Sequence, residues 1–374
     1  MWKFNNIEVF FDITTRCNAG CPQCHRTDLF NVSKKASWLP DVVWSVNNFK
    51  KAVPPKVAKH IKRADICGTW GDPIANNDLP KIVEYLVNEN SLIQIDVNTN
   101  GSLRNDDWWW KLGCAGGKNL SVIFAVEGIN QKMHEHYRQN TFLDKILNNM
   151  DILSNTPAKV KTLCLVWKHN EKYLKEIKKM CVRHGSIDHV LKVTERFDTG
   201  IPDAPKKSDK LEFYNKGEKK VLERTSWKKT EESGVFRSVR QTYYLDSIFL
   251  SHDRKREISN LNKLKKRMDI TCEWGNKNKV VINPDGQVWP CCYFCNPTYK
   301  NSNDDTKGEY KNTFSSNPVM REYENNKREL NIFHNSLDKI LNNKWFKETL
   351  PNSWESKKPV NACVRFCGKK SMLR

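Results

Sequence analysis

The chain carries 374 residues with a formal net charge of +20, thirteen cysteines and thirteen tryptophans; that length suits one large domain plus a smaller one, and the aromatic content excludes wholesale disorder. No apolar run nears the roughly 20 residues that span a bilayer, and the N-terminal "MWKFNNIEVFF" lacks the features of a secretory signal, so a cytoplasmic protein with no membrane partner is expected. In that reducing setting thirteen cysteines are poor evidence for a disulfide framework, and clustered thiols are better explained by metal or redox chemistry.

The first 200 residues alternate strand, loop and helix. Apolar, β-branched runs stand at "IEVFFDI" from Ile7, "IKRADICG" from Ile61, "IQIDVN" from Ile93, "LSVIFAV" from Leu120, "KTLCLVW" from Lys161 and "HVLKVTERF" from His189. Helical spacing marks "LPKIVEYLVNEN", "FLDKILNNMDILSN" and "NEKYLKEIKKMCVRHG", the last stopped by Gly185. Six such alternations predict an α/β fold with a parallel sheet, either doubly wound or a partial barrel. Barrel-type folds gather chemistry at the C-terminal ends of strands. Those ends hold Cys17 to Cys24, "GTWGDP", "NTNG", Glu127-Gly128, "KHN" and Thr194-Glu195. Cys114, Cys164 and Cys181 read as small core residues, and the run Trp108 to Trp110 as helix packing rather than a base-stacking platform. His134, His136 and His169 read as supporting or surface residues.

Past residue 200 the pattern weakens. "DTGIPDAPKKSDK" reads as a linker, and Lys206 to Arg267 holds 18 Lys/Arg against 9 Asp/Glu. Such a segment is a solvated lysine-rich face or a surface for a phosphorylated partner. "YYLDSIFL" and "LNKLKKRM" suggest one short ordered element and a helix. A further unit opens near Cys272, where "VVINPDGQVWPCC" makes a hairpin about Pro-Asp-Gly. An Asn/Lys/Ser-rich loop, a helix around "SLDKILNNKWFKETL" and a closing "CVRFC" complete it. The expected division is a core at 1–200, a basic linker at 201–270 and a cluster domain at 271–374.

Cys17, Cys21 and Cys24 lie on one tight loop after the first strand. A structural zinc site usually wants four ligands, and His25 adjoins Cys24 too closely for an easy fourth. A cubane iron–sulfur cluster can take three thiolates and leave one iron open, the mark of a reactive site. Gly20 lets backbone approach the cluster and Pro22 stiffens the turn.

This Cys-x-x-x-Cys-x-x-Cys spacing, set after the first strand of an α/β repeat, resembles the radical S-adenosylmethionine superfamily. The resemblance implies a partial (β/α)6 barrel, a [4Fe–4S] cluster and S-adenosylmethionine chelated to its open iron. Reductive cleavage would then release a 5′-deoxyadenosyl radical that takes a hydrogen atom from a substrate. "GTWGDP" resembles the Gly-Gly-Glu-Pro loop that receives the methionine amino group, which implicates Gly68, Gly71, Asp72 and Pro73, with Trp70 standing in place of a glycine. "NTNG" resembles the segment near the ribose, with Asn98 and Asn100. "VEGINQKMHEHYRQNTF" resembles a further family stretch, with Glu127 in the site and Arg138 toward the cofactor carboxylate. Gln23 departs from the aromatic residue usual before the third cysteine.

The C-terminal spacing of Cys272, thirteen residues, Gly286, four residues and Cys291 is similar to a SPASM or twitch extension, a small α+β unit. It implies one auxiliary [4Fe–4S] cluster on Cys272, Cys291, Cys363 and Cys367, with Cys292 or Cys295 as possible substitutes in the ligand set; a zinc site with the same ligands is the alternative. The expected activity is a net oxidation or other modification of a substrate, aided by that cluster and driven by a reductant such as flavodoxin or ferredoxin. The basic segment keeps open a nucleotide, tRNA or DNA-base substrate. A peptide-maturase reading is weakened because few residues precede the first strand, leaving no room for a fused leader-recognition domain. The rival of another class is a non-enzymatic iron–sulfur or zinc module that binds nucleic acid.

Overall fold

The computed structural model describes residues 2–28, 30–194, 197, 209–227, 235–237, 268–303, 317–356 and 358–370. Each of the six N-terminal runs forms a strand: β1 Ile7–Phe11, β2 Ile61–Ile66, β3 Gln94–Thr99, β4 Leu120–Ala125, β5 Lys159–Val166 and β6 Asp188–Val193. They lie in one sheet in unbroken chain order, every neighbour parallel. A doubly wound sheet reverses its order at a switch point; this one never does. Crossovers of one hand therefore put the helices on one face, which is the partial-barrel alternative of the two the sequence allows.

The helices follow their apolar spacing. In α1, Leu79–Glu89, the buried Leu79, Ile82, Val83 and Leu86 fall at i, i+3, i+4 and i+7, each worth about 1.5–3 kcal/mol when fully buried. Helix α2, Asp106–Gly116, starts where the Asn105 side chain accepts the Trp108 N–H, and Asp106 and Asp107 lie in its first turn, where the helix dipole favours them. Trp109 is wholly buried while Trp110 is 49% exposed, so the tryptophan run packs a helix. Helices α3, Leu143–Ser154, and α4, Leu174–Arg183, complete the layer, and Gly185 has φ +83° just past α4.

The region expected to be a linker contains regular structure among its described residues. Strands β7, Lys210–Asn215, and β8, Glu218–Glu223, form an antiparallel hairpin, turned by Lys216 at φ 50° and Gly217 at φ 86°. Successive positive φ values are what a tight two-residue turn needs. Strand β9, Val235–Arg237, adds in parallel to β6. The rest of the basic segment, "YYLDSIFL", most of "LNKLKKRM" and Glu195 lie outside the described residues; Met268 opens strand β10, Met268–Ile270.

The C-terminal unit is stitched to the barrel rather than tethered to it. Strand β11, Lys279–Ile282, adds in parallel to the free edge of β1, with Phe10 opposite Val281, and covers an edge that would otherwise stay exposed. It turns back into β12, Val288–Trp289, with Gly286 at φ 82° between them. Helix α5, Cys292–Asn303, and helix α6, Asn361–Cys367, follow, and α6 runs into β13, Gly368–Lys370, which pairs with β10. "SLDKILNNKWFKETL" is not one helix: Leu337–Leu341 ends before a new turn at Trp345, whose N–H bonds the Asn343 side chain at 2.8 Å. Asn competes there for a backbone donor and breaks the run. No described helix is long and apolar enough to cross a membrane.

Candidate functional site

The loop after β1 is held from several sides. The Thr15 hydroxyl donates to Pro40 O at 2.7 Å and Gly20 N–H to Gln139 O at 2.9 Å. The Cys24 N–H closes a turn onto Cys21 O at 3.0 Å. A methyl group on Gly20 would collide with the Val32 carbonyl oxygen, so the close approach at Gly20 is to the Val32 backbone. Ala19 N–H points at Cys17 Sγ at 3.3 Å. Burial raises the Cys17 and Cys21 thiols, Cys21 to about 11 even with Arg138 beside it. A coordinated metal deprotonates such groups. Three soft donors on one loop, with the Ala19 N–H aimed at Cys17, fit an iron–sulfur cluster.

The second and third strand exits lock onto this loop. A methyl on Gly71 would strike the carbonyl oxygens of Thr14 and Arg16, and one on Gly68 would strike Gly71 O. Pro73 opens the short 3-10 turn Pro73–Ala75, capped by the Asp72 side chain. Asp72 is saturated: it accepts Thr99 Oγ1–H at 2.8 Å, Asn100 N–H at 2.7 Å, the Asn100 side-chain amide at 2.6 Å and Ile74 N–H at 3.1 Å. Asn100 also donates to Asn18 Oδ1 at 3.0 Å and to Cys17 Sγ at 3.6 Å. Asp72 thus organises the loops. Asn98 instead reaches down to Asp65 Oδ1 at 3.1 Å, away from the Asp72–Asn100 network.

The fourth exit brings Glu127, which is fully buried, against Arg138. The guanidinium makes a bidentate pair, Nε to Oε2 at 2.9 Å and Nη2 to Oε1 at 2.8 Å, and Nη1 donates to Cys21 Sγ at 3.4 Å. At the sixth exit the Thr194 hydroxyl donates to Gln23 Oε1 at 3.0 Å, so the residue before Cys24 is tied by a polar bond where an aromatic ring was expected.

The C-terminal thiols converge elsewhere. A pocket is lined by Cys272, Cys291, Cys363 and Cys367 together with apolar side chains, among them Trp2, Trp274 and Trp354. The β10–β13 pairing brings Cys272 beside Cys367, and Thr271 N–H donates to Cys367 O at 3.0 Å. The Cys-x-x-x-Cys spacing has a reason: both residues lie in α6, and i, i+4 positions share a helix face. Burial pushes Cys363 up to about 12. Four thiols around an apolar hollow fit a cubane. Cys292 and Cys295 do not line it; Cys295 bonds Asn296 Oδ1 at 2.9 Å.

Several site residues were not read from sequence. Leu211, Phe213 and Leu222 of the β7–β8 hairpin pack with Cys21, Tyr137 and Trp167, and Cys17 and Cys24 border that cluster; the alternation in "KLEFYN" was the available signal. Thr141 and Asn18 are hydrogen-bonding supports with no motif of their own, and His134, read from sequence as a supporting or surface residue, is fully buried as a support. Asp12 ends the first strand and accepts Thr69 N–H at 3.0 Å, and burial raises it to about 7. Trp70 is buried between His25, Trp38 and Tyr299, its ring 5.0 Å from that of Tyr299 on α5.

The model of the radical SAM superfamily matches residues 11–195, and that of an iron–sulfur cluster-binding domain, SPASM, matches residues 272–368. A 7,8-dihydro-6-hydroxymethylpterin dimethyltransferase of Methanocaldococcus jannaschii is 28% identical over 152 residues, 39% of this chain and 28% of that protein. A probable GTP 3′,8-cyclase of Methanococcus vannielii is 24% identical over 284 residues, 75% of this chain and 82% of that protein. The match thus spans about a quarter of the methyltransferase and most of the cyclase. Among solved structures, Streptococcus suis SuiB bound to S-adenosylmethionine is 11% identical, with a TM-score of 0.48 over 83% of this chain and 68% of that one.

Proposed function

The chain belongs to the radical SAM superfamily and ends in an iron–sulfur cluster-binding domain, and from that premise we propose an enzyme that cleaves S-adenosylmethionine reductively on a [4Fe–4S] cluster held by Cys17, Cys21 and Cys24. When bound, that cluster gives the sulfonium an electron, releasing methionine and a 5′-deoxyadenosyl radical that takes a hydrogen atom from the substrate. The chain's own residues bind, aim and shield. Gly68 and Gly71 bring carbonyl groups to the methionine end, supported by Asp72 and Pro73. Asn100 fixes the third exit, Asn98 faces the barrel interior, and Glu127 holds Arg138 over the cysteine loop. The β7–β8 hairpin covers the loop with apolar side chains and keeps water from it.

The observation that carries the reading is the pair of separate thiol sets, three on the strand-exit loop and four around an apolar cavity. We assign residues 1–200 to the core, 201–270 to a bridging segment that includes the hairpin, and 271–374 to the auxiliary domain. Cys272, Cys291, Cys363 and Cys367 would hold the auxiliary [4Fe–4S] cluster through four thiolates, and the chemistry it would supply is acceptance of an electron in a net oxidation of the substrate. The enzyme works in the cytoplasm with a reductant of the flavodoxin or ferredoxin kind. A phosphorylated nucleotide substrate is the second reading, favoured by the +20 charge and by the length of the match to the probable cyclase.

Anaerobic reconstitution with iron and sulfide, then dithionite and S-adenosylmethionine, tests the proposal. The expected result is about eight iron per chain, as two cubanes require, and slow 5′-deoxyadenosine formation without substrate. A zinc or binding module yields none. For the substrate, binding measured against salt decides: a nucleic-acid complex weakens linearly in log K against log salt, and a small neutral ligand does not.

A further inference from the structure

Arg138 divides its guanidinium unequally. Nε and Nη2 are closed on the Glu127 carboxylate, and Nη1 alone turns to Cys21 Sγ at 3.4 Å. The aim is fixed from behind. Glu127 N–H donates to His134 Nδ1 at 3.3 Å, which puts the His134 proton on Nε2, 3.0 Å from Thr141 Oγ1. Thr141 in turn donates its hydroxyl to Arg138 O at 2.7 Å. Burial pulls His134 down to about 3, so the ring stays neutral and the direction of these bonds holds. Ala19 and Asn100 aim uncharged N–H groups at Cys17, and Arg26 acts on that thiol through its charge. Arg138 is a charged donor bonded directly to Cys21.

One-electron reduction of a cluster adds negative charge that its thiolates share. A cationic N–H donor in a dry site stabilises that state, and a carboxylate opposes it. On the reading that Cys17, Cys21 and Cys24 hold the cluster, we infer that Arg138 and Glu127 together set its reduction potential, Arg138 raising it through Cys21 and Glu127 holding it down. This is a positioning and electrostatic role exercised before S-adenosylmethionine binds, separate from any contact Arg138 makes with the cofactor carboxylate.

The test is a redox titration of the reconstituted full chain without S-adenosylmethionine, followed by electron paramagnetic resonance. The N-terminal signal is the one missing from Cys21→Ala. Arg138→Gln should lower the reduced-to-oxidised ratio at fixed potential about tenfold, a shift of about 59 mV for one electron. Glu127→Gln should move it the opposite way, and Arg138→Lys should stay near the wild type. Opposite signs cannot come from general loosening of the loop. Shifts of the same sign, or none in clusters that still load iron, overturn the inference and leave the cluster assignment standing. If Arg138→Gln fails to load iron, the upward shift in Glu127→Gln decides alone, its absence overturning the inference. An unchanged signal in Cys21→Ala overturns the cluster reading itself.

Discussion

Asp72 accepts two hydrogen bonds from Asn100, one from the backbone at 2.7 Å and one from the side-chain amide at 2.6 Å. That pair ties the second strand exit to the third, and Asn100 extends the tie to Cys17. Replacing Asp72 by Asn puts an amide against donors, and each buried partner left unsatisfied costs about 1–3 kcal/mol. Asp72→Asn is therefore expected to melt earlier and to retain less iron at the N-terminal site, read by calorimetry and iron assay. Full iron at an unchanged melting temperature would show that the tie is dispensable.

The two C-terminal thiol types should separate cleanly. Cys363 lines the cavity, whereas Cys295 spends its thiol on Asn296. Cys363→Ser is expected to bring the iron count from about eight to about four while 5′-deoxyadenosine still forms. Cys295→Ser keeps both clusters. Iron loss in the second variant and not the first would reassign the ligands.

The β7–β8 hairpin should shield the cysteine loop. Phe213 is fully buried in the cluster that includes Cys21, and truncating such a ring costs about 3–5 kcal/mol. Phe213→Ala should lower stability and speed the loss of iron to a chelator in air. Unaltered chelation kinetics at reduced stability would remove the shielding role.

Hairpin docking should also depend on acid. Burial raises Glu171, but bonds from Lys168, Thr225 and Ser226 outweigh it and bring it down to about 2. A depressed carboxylate contributes stability that is full above its ordinary value and is lost as pH falls toward the folded one. Protection of the amides across residues 209–227 against hydrogen exchange, taken relative to the intrinsic rate at each pH, should thus fall between about pH 4.5 and pH 2, and Glu171→Gln should show low protection already at neutral pH. Protection that does not respond to pH in the parent chain would place the anchor elsewhere.

Much of this was legible in order, because the strands announce themselves by β-branched runs and the chemistry sits where those runs stop. The Cys17 loop was readable because its three cysteines lie within eight positions of sequence. The hairpin was not: its Lys216-Gly217 turn is a weaker signal than Asn-Gly, and lysine density on its exposed face masked the alternation of Leu211 and Phe213. Contacts such as Thr194 to Gln23, 171 positions apart, depend on which strands become neighbours, and no local pattern carries that. The helical placing of Cys363 and Cys367 explains a spacing that composition alone left odd.

The most direct measurement is the product of reducing the anaerobically reconstituted chain with dithionite in the presence of S-adenosylmethionine, compared with Cys21→Ala. The expected result is iron and sulfide at the N-terminal loop, 5′-deoxyadenosine from the parent chain and none from the variant. Zinc at that loop, or equal product from both proteins, would contradict it.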